Sequence, residues 1–284
     1  MSKTTNSILI AVIGGLSLVV VGAMAFGGLY LTFYVNNALC LKLGMNSNFA
    51  KDCSSLYFYT TNWSLGIPVK SYEEIKEADF ATFKVVQNLY AKDKNVVFYE
   101  AAKLSGANPA TFAVINRLYA KDDDQIFYED KEVSGADVES FSILQPESQS
   151  QFKWHESIAV DKHSVYLLGK KQEQVDRDSF HELVAVPEFF YDREGLLLYF
   201  GDRGFVRVQG ADVDSWRNVD GPFYSDKNAI WLRDHDYVKV LENIDRATFE
   251  VLKPEIEQQE KIFTPYLKDK NHIYLFRYDK VGIL

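Results

Sequence analysis

The ten residues Tyr90-Ala-Lys-Asp-Lys-Asn-Val-Val-Phe-Tyr99 come back along the chain in altered form. Tyr119-Ala-Lys-Asp-Asp-Asp-Gln-Ile-Phe-Tyr128 is a near copy, and Phe49-Ala-Lys-Asp-Cys-Ser-Ser-Leu-Tyr-Phe58 an earlier one. Alignment on the aspartate gives seven copies, at Asp52, Asp93, Asp122, Asp161, Asp192, Asp226 and Asp269. A pattern returning every 30 to 45 residues or so is the mark of an array of small units that bury their hydrophobic faces only against one another.

Within a copy, Leu89-Tyr-Ala-Lys92 alternates in the manner of a half-buried strand, and Val96-Val-Phe-Tyr99 is a return strand rich in β-branched and aromatic residues. The aspartate between them suits an Asx-turn, accepting a backbone hydrogen bond from two residues on. Residues two past it are Ser54, Asn95, Asp124, His163, Glu194, Asn228 and Asn271. Asn, Asp and His tolerate left-handed geometry, so positive φ is expected there, with Gly195 taking over beside Glu194. A third extended piece near Lys103–Gly106 completes a three-stranded meander.

A second pattern accompanies the first: Asp79-Phe-Ala-Thr-Phe83, Asn108-Pro-Ala-Thr-Phe112, Asp137-Val-Glu-Ser-Phe141, Asp176-Arg-Asp-Ser-Phe180, Asp212-Val-Asp-Ser-Trp216 and Asp245-Arg-Ala-Thr-Phe249. Asp and Asn are preferred N-caps, and Pro109 sits where a first helical residue accepts it. Each unit is therefore expected to end in one short helical turn with a buried aromatic. The fold expected is mainly β, a tandem array of about seven hairpin or meander repeats over residues 49–284. A seven-bladed propeller is the alternative, disfavoured because 29 residues (Asp93 to Asp122) is short for a four-stranded blade. The charged, Gln/Glu-rich stretch Lys253–Lys261 is expected to be a helical insertion.

Ahead of the repeats, Ile8 to Val35 is 28 residues without a charge. About 20 apolar residues cross a bilayer core, so 1–36 is expected to be a tail and transmembrane helix, followed by a linker over 37–48. Tyr30, Phe33 and Tyr34 crowd the end of the span, where aromatic rings favour the interface. The rival is a cleaved signal peptide with Ala23-Met-Ala25 as its site, against which the apolar run continues ten residues past Ala25. Ala11, Gly15, Ala23 and Gly27 would share one helical face and allow self-association. Cys40 and Cys53, the only cysteines, are a candidate disulfide, which needs an oxidising compartment; two free thiols are the alternative.

The net charge of −9 opposes phosphate-backbone binding, so no nucleic-acid partner is expected. The five histidines stand singly, with no H-E-x-x-H spacing, G-x-S-x-G elbow or phosphate-cradling loop nearby. Asp122-Asp-Asp124 and Asp234-His-Asp236 lack the remainder of a calcium loop. No catalytic, metal or cofactor-binding residue is assigned, and no cofactor is expected.

The turns Asp93-Lys-Asn95, Asp226-Lys-Asn228 and Asp269-Lys-Asn271, each followed by paired apolar or aromatic residues, resemble the bacterial DKNYY repeat family over residues 49–284. Cys53-Ser54 in the first copy and the stretched copy at Asp192 depart from the pattern. The resemblance implies an envelope-associated bacterial repeat protein and brings no catalytic activity with it. With the anchor, it leads to an expected place in the bacterial inner membrane, with the repeat domain periplasmic or extracellular. The expected work is binding another protein, in its sharpest form as an immunity protein against an envelope-acting toxin. An envelope scaffold binding polysaccharide or a membrane complex is the alternative, and an envelope-polymer hydrolase the third.

Overall fold

The computed structural model describes residues 9–13, 16–25, 28–35, 41–42, 47–51, 54–64, 66–87, 89–147, 156–186, 188–234, 237–252, 266–277 and 280–283. The expected transmembrane helix is not among them. The uncharged segment instead forms three antiparallel strands, β1 (Leu9–Ile13), β2 (Leu16–Ala25) and β3 (Gly28–Val35), in the order β1-β2-β3. Its Ile, Val, Tyr and Phe are residues that favour strands. No helix among the described residues is long and apolar enough to cross a membrane. Ala11 and Ala23 accordingly sit on different strands rather than one helical face, and Gly15 and Gly27 lie outside the described residues. Cys40, Asp52 and Cys53 also lie outside them, as does Lys253–Lys261.

Among the described residues seven four-stranded sheets follow, each with its strands in chain order. The first contains β4 (Leu41–Lys42), β5 (Phe49–Lys51), β6 (Leu56–Ser64) and β7 (Ile67–Glu74). The second contains β8 (Lys84–Gln87), β9 (Tyr90–Lys92), β10 (Val97–Tyr99) and β11 (Ala102–Lys103). The expected meander was one strand short. Residues just past each capped turn, such as Lys84–Gln87, Ser142–Ile143 and Arg217–Asp220, pair with the next hairpin and supply the fourth strand. Strands of two to four residues are too brief to establish a period of two, which is why the pattern hides them.

The chain divides into two compact units, residues 1–125 with 129–131, and residues 126–128 with 132–284. In the first unit, Phe49, Leu56, Phe58 and Ile75 share one core with Ala91 and Phe98 of the next module. In the second unit, Phe190 and Leu197 pack with Ile158, Val165 and Leu167 before them, while Phe189, Leu196 and Leu198 pack with Tyr224 and Trp231 after them. Neighbouring residues of one strand point to opposite faces. Burial of Phe189 and Phe190 together, both 0 % exposed, therefore means that both faces of the sheet are covered. The half-buried strand expected from Leu89-Tyr-Ala-Lys92 is corrected in the same way, since Tyr90 and Ala91 are both fully buried.

Candidate functional site

Six of the seven repeat aspartates are described, and all six are buried. Five of them bind the same pair of turn N–H groups. Asp93 Oδ1 accepts the backbone N–H groups of Asn95 and Val96, both at 2.7 Å. The same pair of bonds recurs at Asp122, Asp161, Asp226 and Asp269, all between 2.7 and 2.9 Å. With the N–H groups of both following residues held, the chain turns without left-handed backbone. In the six described copies the residues two past the aspartate are accordingly not left-handed, contrary to expectation, while Gly195 takes positive φ, at 126°, as expected. Left-handed residues sit elsewhere, at the far hairpin turn (Glu100, Glu129, Leu168) and two residues before the capping Asp or Asn (Glu77, Gly106, Gly135, Gly210, Asn243).

The second carboxylate oxygen joins the two recurring patterns. Asp93 Oδ2 accepts the backbone N–H of Asp79 at 2.7 Å, Asp122 that of Asn108 at 2.8 Å and Asp161 that of Asp137 at 2.9 Å. Asp192, Asp226 and Asp269 do likewise for Asp176, Asp212 and Asp245. The cap residue in turn does what its type predicts: Asp212 Oδ1 accepts from Ser215 N at 3.1 Å and from its hydroxyl at 2.6 Å. That Ser215 hydroxyl then accepts the N–H of Lys227 at 2.8 Å, and the Lys227 ammonium closes the circuit on Asp212. Lys94 with Asp79, Lys162 with Asp137, Arg193 with Asp176 and Lys270 with Asp245 repeat the closing ion pair.

Two copies vary the chemistry and keep the lock. Where Asp123 replaces the cation, the cap is Asn108, whose amide donates to Asp123 at 3.2 Å while Thr111 donates at 2.5 Å. At Asp192 only Glu194 supplies a turn N–H, and Arg207 fills the gap with a guanidinium bonded to both oxygens at 2.7 and 2.9 Å. Asp161 and Asp269 gain one donor more, the hydroxyls of Tyr166 and Tyr274, each at 2.8 Å.

These contacts set the ionisation. Burial works to raise the Asp161 carboxyl, but donation from Asp137, His163, Tyr166 and Ser164 outweighs it and the net shift is downward. The same balance, with its own donors, holds Asp269 low. At the rim, Lys162 and then Ser140 bring Asp137 down to about 2. Burial, reinforced by Asp269, pushes the Tyr274 hydroxyl up to about 12.

Other sequence candidates resolve without a reactive cluster. Asp122 and Asp123 are absorbed in the lock by their carboxylates, while Asp124 and His163 lend their backbone N–H groups to the turns. His181 is exposed, with Nδ1 3.1 Å from Glu147. His155, His235 and Asp236 lie outside the described residues. Among the described residues, no group of three His, Cys, Asp or Glu is placed to hold a metal ion.

These features define a class, the mainly-β repeat protein whose unit is an aspartate-locked hairpin. The model of the DKNYY family matches residues 35–131 and 119–278, and the chain belongs to that family. No curated protein and no solved structure matches it.

Proposed function

We propose that this DKNYY protein is held in the bacterial inner membrane by its N-terminal segment and uses its repeat domain, outside the cytoplasm, to bind another protein. The observation that carries the reading is the lock itself. The six described recurring carboxylates are occupied by backbone donors, so the residues this chain repeats most faithfully build a scaffold and leave no recurring acid for chemistry. Repeat scaffolds work by presenting surface, and an acidic chain suits a basic or mixed-charge partner. The sharpest form is an immunity protein that captures a toxin acting in the envelope.

In a bilayer this reading has the uncharged segment exchange its three strands for a helix. An open three-stranded sheet would leave its edge N–H and C=O groups unpaired in hydrocarbon, at several kcal/mol each, while a helix satisfies them internally. A disulfide between Cys40 and Cys53 belongs to the same reading and requires an oxidising compartment.

Two experiments test it. Protease added to intact and to opened cells reports the side of the membrane; a repeat domain degraded only once the inner membrane is breached sinks the proposal. Cells lacking the gene are then grown beside toxin-bearing and toxin-free kin. Loss of viability beside the former alone supports immunity, whereas equal survival removes it. Exposed Tyr72 and Trp63 favour a second reading, a scaffold that binds envelope polysaccharide.

A further inference from the structure

The first module ends its sheet differently from the rest. Among the described residues, the other sheets close on an outer strand of two to four residues, from Ala102–Lys103 to Lys280–Ile283. In the first sheet that outer strand is β7, eight residues long. A sheet's last strand presents backbone N–H and C=O groups to any chain that comes alongside, and keeping it short is one protection. β7 lacks that protection, and residues 68–74 are all exposed.

We propose that β7 pairs antiparallel with β7 of a second copy of this chain, about a two-fold axis at Tyr72. Ile75 donates its backbone N–H to the Leu56 carbonyl at 2.8 Å, so its backbone faces β6. Successive residues of an antiparallel strand turn their N–H and C=O groups to opposite sides. Val69, Ser71 and Glu73 therefore face β6 as well, while Lys70 and Glu74 face outward. With Tyr72 on the axis, Lys70 meets Glu74 of the second copy, and Glu74 meets Lys70 of the second copy. Each pair can exchange both backbone hydrogen bonds, and its side chains set a cation beside an acid on one face of the joined sheet. On the other face Ser71 meets Glu73, so no like charges are opposed.

The edge selects both register and occupant. Sliding one strand by a single residue opposes outward backbone groups to groups already turned to β6. Sliding it by two sets Glu74 against Pro68, which has no N–H to give, or Lys70 against Lys76, which repels it. Read backwards, β7 offers an acid to its own lysine and a lysine to its own acid. That self-complementarity, the property a two-fold interface requires, favours a second copy over an unrelated strand. The Lys70 ammonium, 4.5 Å over the Tyr59 ring, and Glu74, which accepts from Ser55 Oγ at 2.9 Å, make only surface contacts that pairing can keep or trade. The pairing depends on neither the proposed anchor nor the proposed toxin.

The test uses the full chain in a non-ionic detergent, with its mass read by sedimentation velocity over a series of concentrations. We expect an equilibrium of monomer and dimer. Lys70→Glu and Glu74→Lys each oppose like charges at both pairs and are expected to weaken the dimer by roughly tenfold or more. The double variant opposes unlike charges again and is expected to dimerise as the natural chain does. Mixing the two single variants is expected to do the same, since positions 70 and 74 are then both acidic in one chain and both basic in the other. Recovery on mixing also shows that each single variant is folded. A chain that stays monomeric throughout overturns the proposal. So does a dimer that survives both single substitutions, which would place self-association in the N-terminal segment. Failure of both the mixture and the double variant to recover overturns it as well.

Discussion

Asp161 Oδ2 accepts the backbone N–H of Asp137 at 2.9 Å across 24 residues, and Asp93 makes the same bond to Asp79 across 14. The geometry is indifferent to what lies between. Insertions therefore enter this family member between cap and turn without disturbing either, and modules of unequal length share one local structure. A loop that is lengthened costs only slowly more entropy to close, which makes the arrangement tolerant. The lock decides where the chain must be constant and where it is free.

The first prediction follows from the donors that Asp161 serves. Asp161→Ala leaves the N–H groups of Asp137, His163 and Ser164 without their acceptor, and the Tyr166 hydroxyl keeps only the Gly135 carbonyl at 3.3 Å. Unpaired buried donors cost about 1–3 kcal/mol each, so a loss of at least about 3 kcal/mol is expected. Lys162→Ala removes only an exposed ion pair, screened by solvent, and is expected to move the midpoint far less. Urea midpoints of the two full-length variants give the comparison; equal midpoints would place the lock at the surface of the energetics.

The second described copy supplies an internal control. Its cap and turn carry Asn108 and Asp123 where the other five pair an acid with a cation. Asn108→Asp alone sets a carboxylate against Asp123 and is expected to lower the urea midpoint. Adding Asp123→Lys restores the common pairing, so a double-mutant cycle is expected to return a favourable coupling. A coupling of zero would mean that the two positions vary independently.

Much of this was legible in the sequence because it is local. An Asx-turn and an N-cap each involve residues two or three apart, and both recurring patterns announced themselves through Asp, Asn, Ser and Thr. The bond joining them spans 14 to 24 residues and leaves one trace, the exchange of Asp79-type caps for Asn108 when Lys94-type residues become Asp123. The left-handed position was misplaced for a physical reason. Asn95 resembles a residue suited to positive φ, but Asp93 already satisfies its N–H in a right-handed turn, and Gly106-Ala-Asn108 and Gly135-Ala-Asp137 carried the true signal. Burial on both faces was hidden because strands of three residues, such as Tyr90–Lys92, are too short for alternation to fail visibly. The uncharged Ile8–Val35 reads as a span by length and polarity, yet its β-branched and aromatic residues equally suit the strands it forms.

Acid should loosen the locks. Lys162 and Ser140 hold Asp137 at about 2 in the folded chain, against 3.8 for an ordinary aspartate. A carboxyl whose folded value is depressed contributes stability that is full above the unfolded value and lost as pH falls through the folded one. Stability is therefore expected to decline from about pH 4 to pH 2, and Asp161 and Asp269, also lowered, act in the same direction. Urea midpoints measured from pH 6 to pH 2 should fall less steeply for Asp137→Asn than for the natural chain. An identical slope would remove Asp137 from the account.

Two glycines with the same backbone separate conformation from contact. Gly135 has φ +74° and open space where a Cβ would stand, while Gly169 has φ +72° and would place that Cβ 2.5 Å from Tyr128 Cβ. Left-handed geometry alone costs an alanine about 1–2 kcal/mol, which is the loss expected for Gly135→Ala. Gly169→Ala carries the same backbone cost and a backbone-rooted clash besides, since a Cβ cannot swing aside as a side-chain end does. It is expected to lose about 1–3 kcal/mol more, the usual range for overpacking a filled site. Thermal midpoints of the two variants, read side by side, check the difference. Equal losses would show that Tyr128 yields at no cost and that the approach of these two residues is loose.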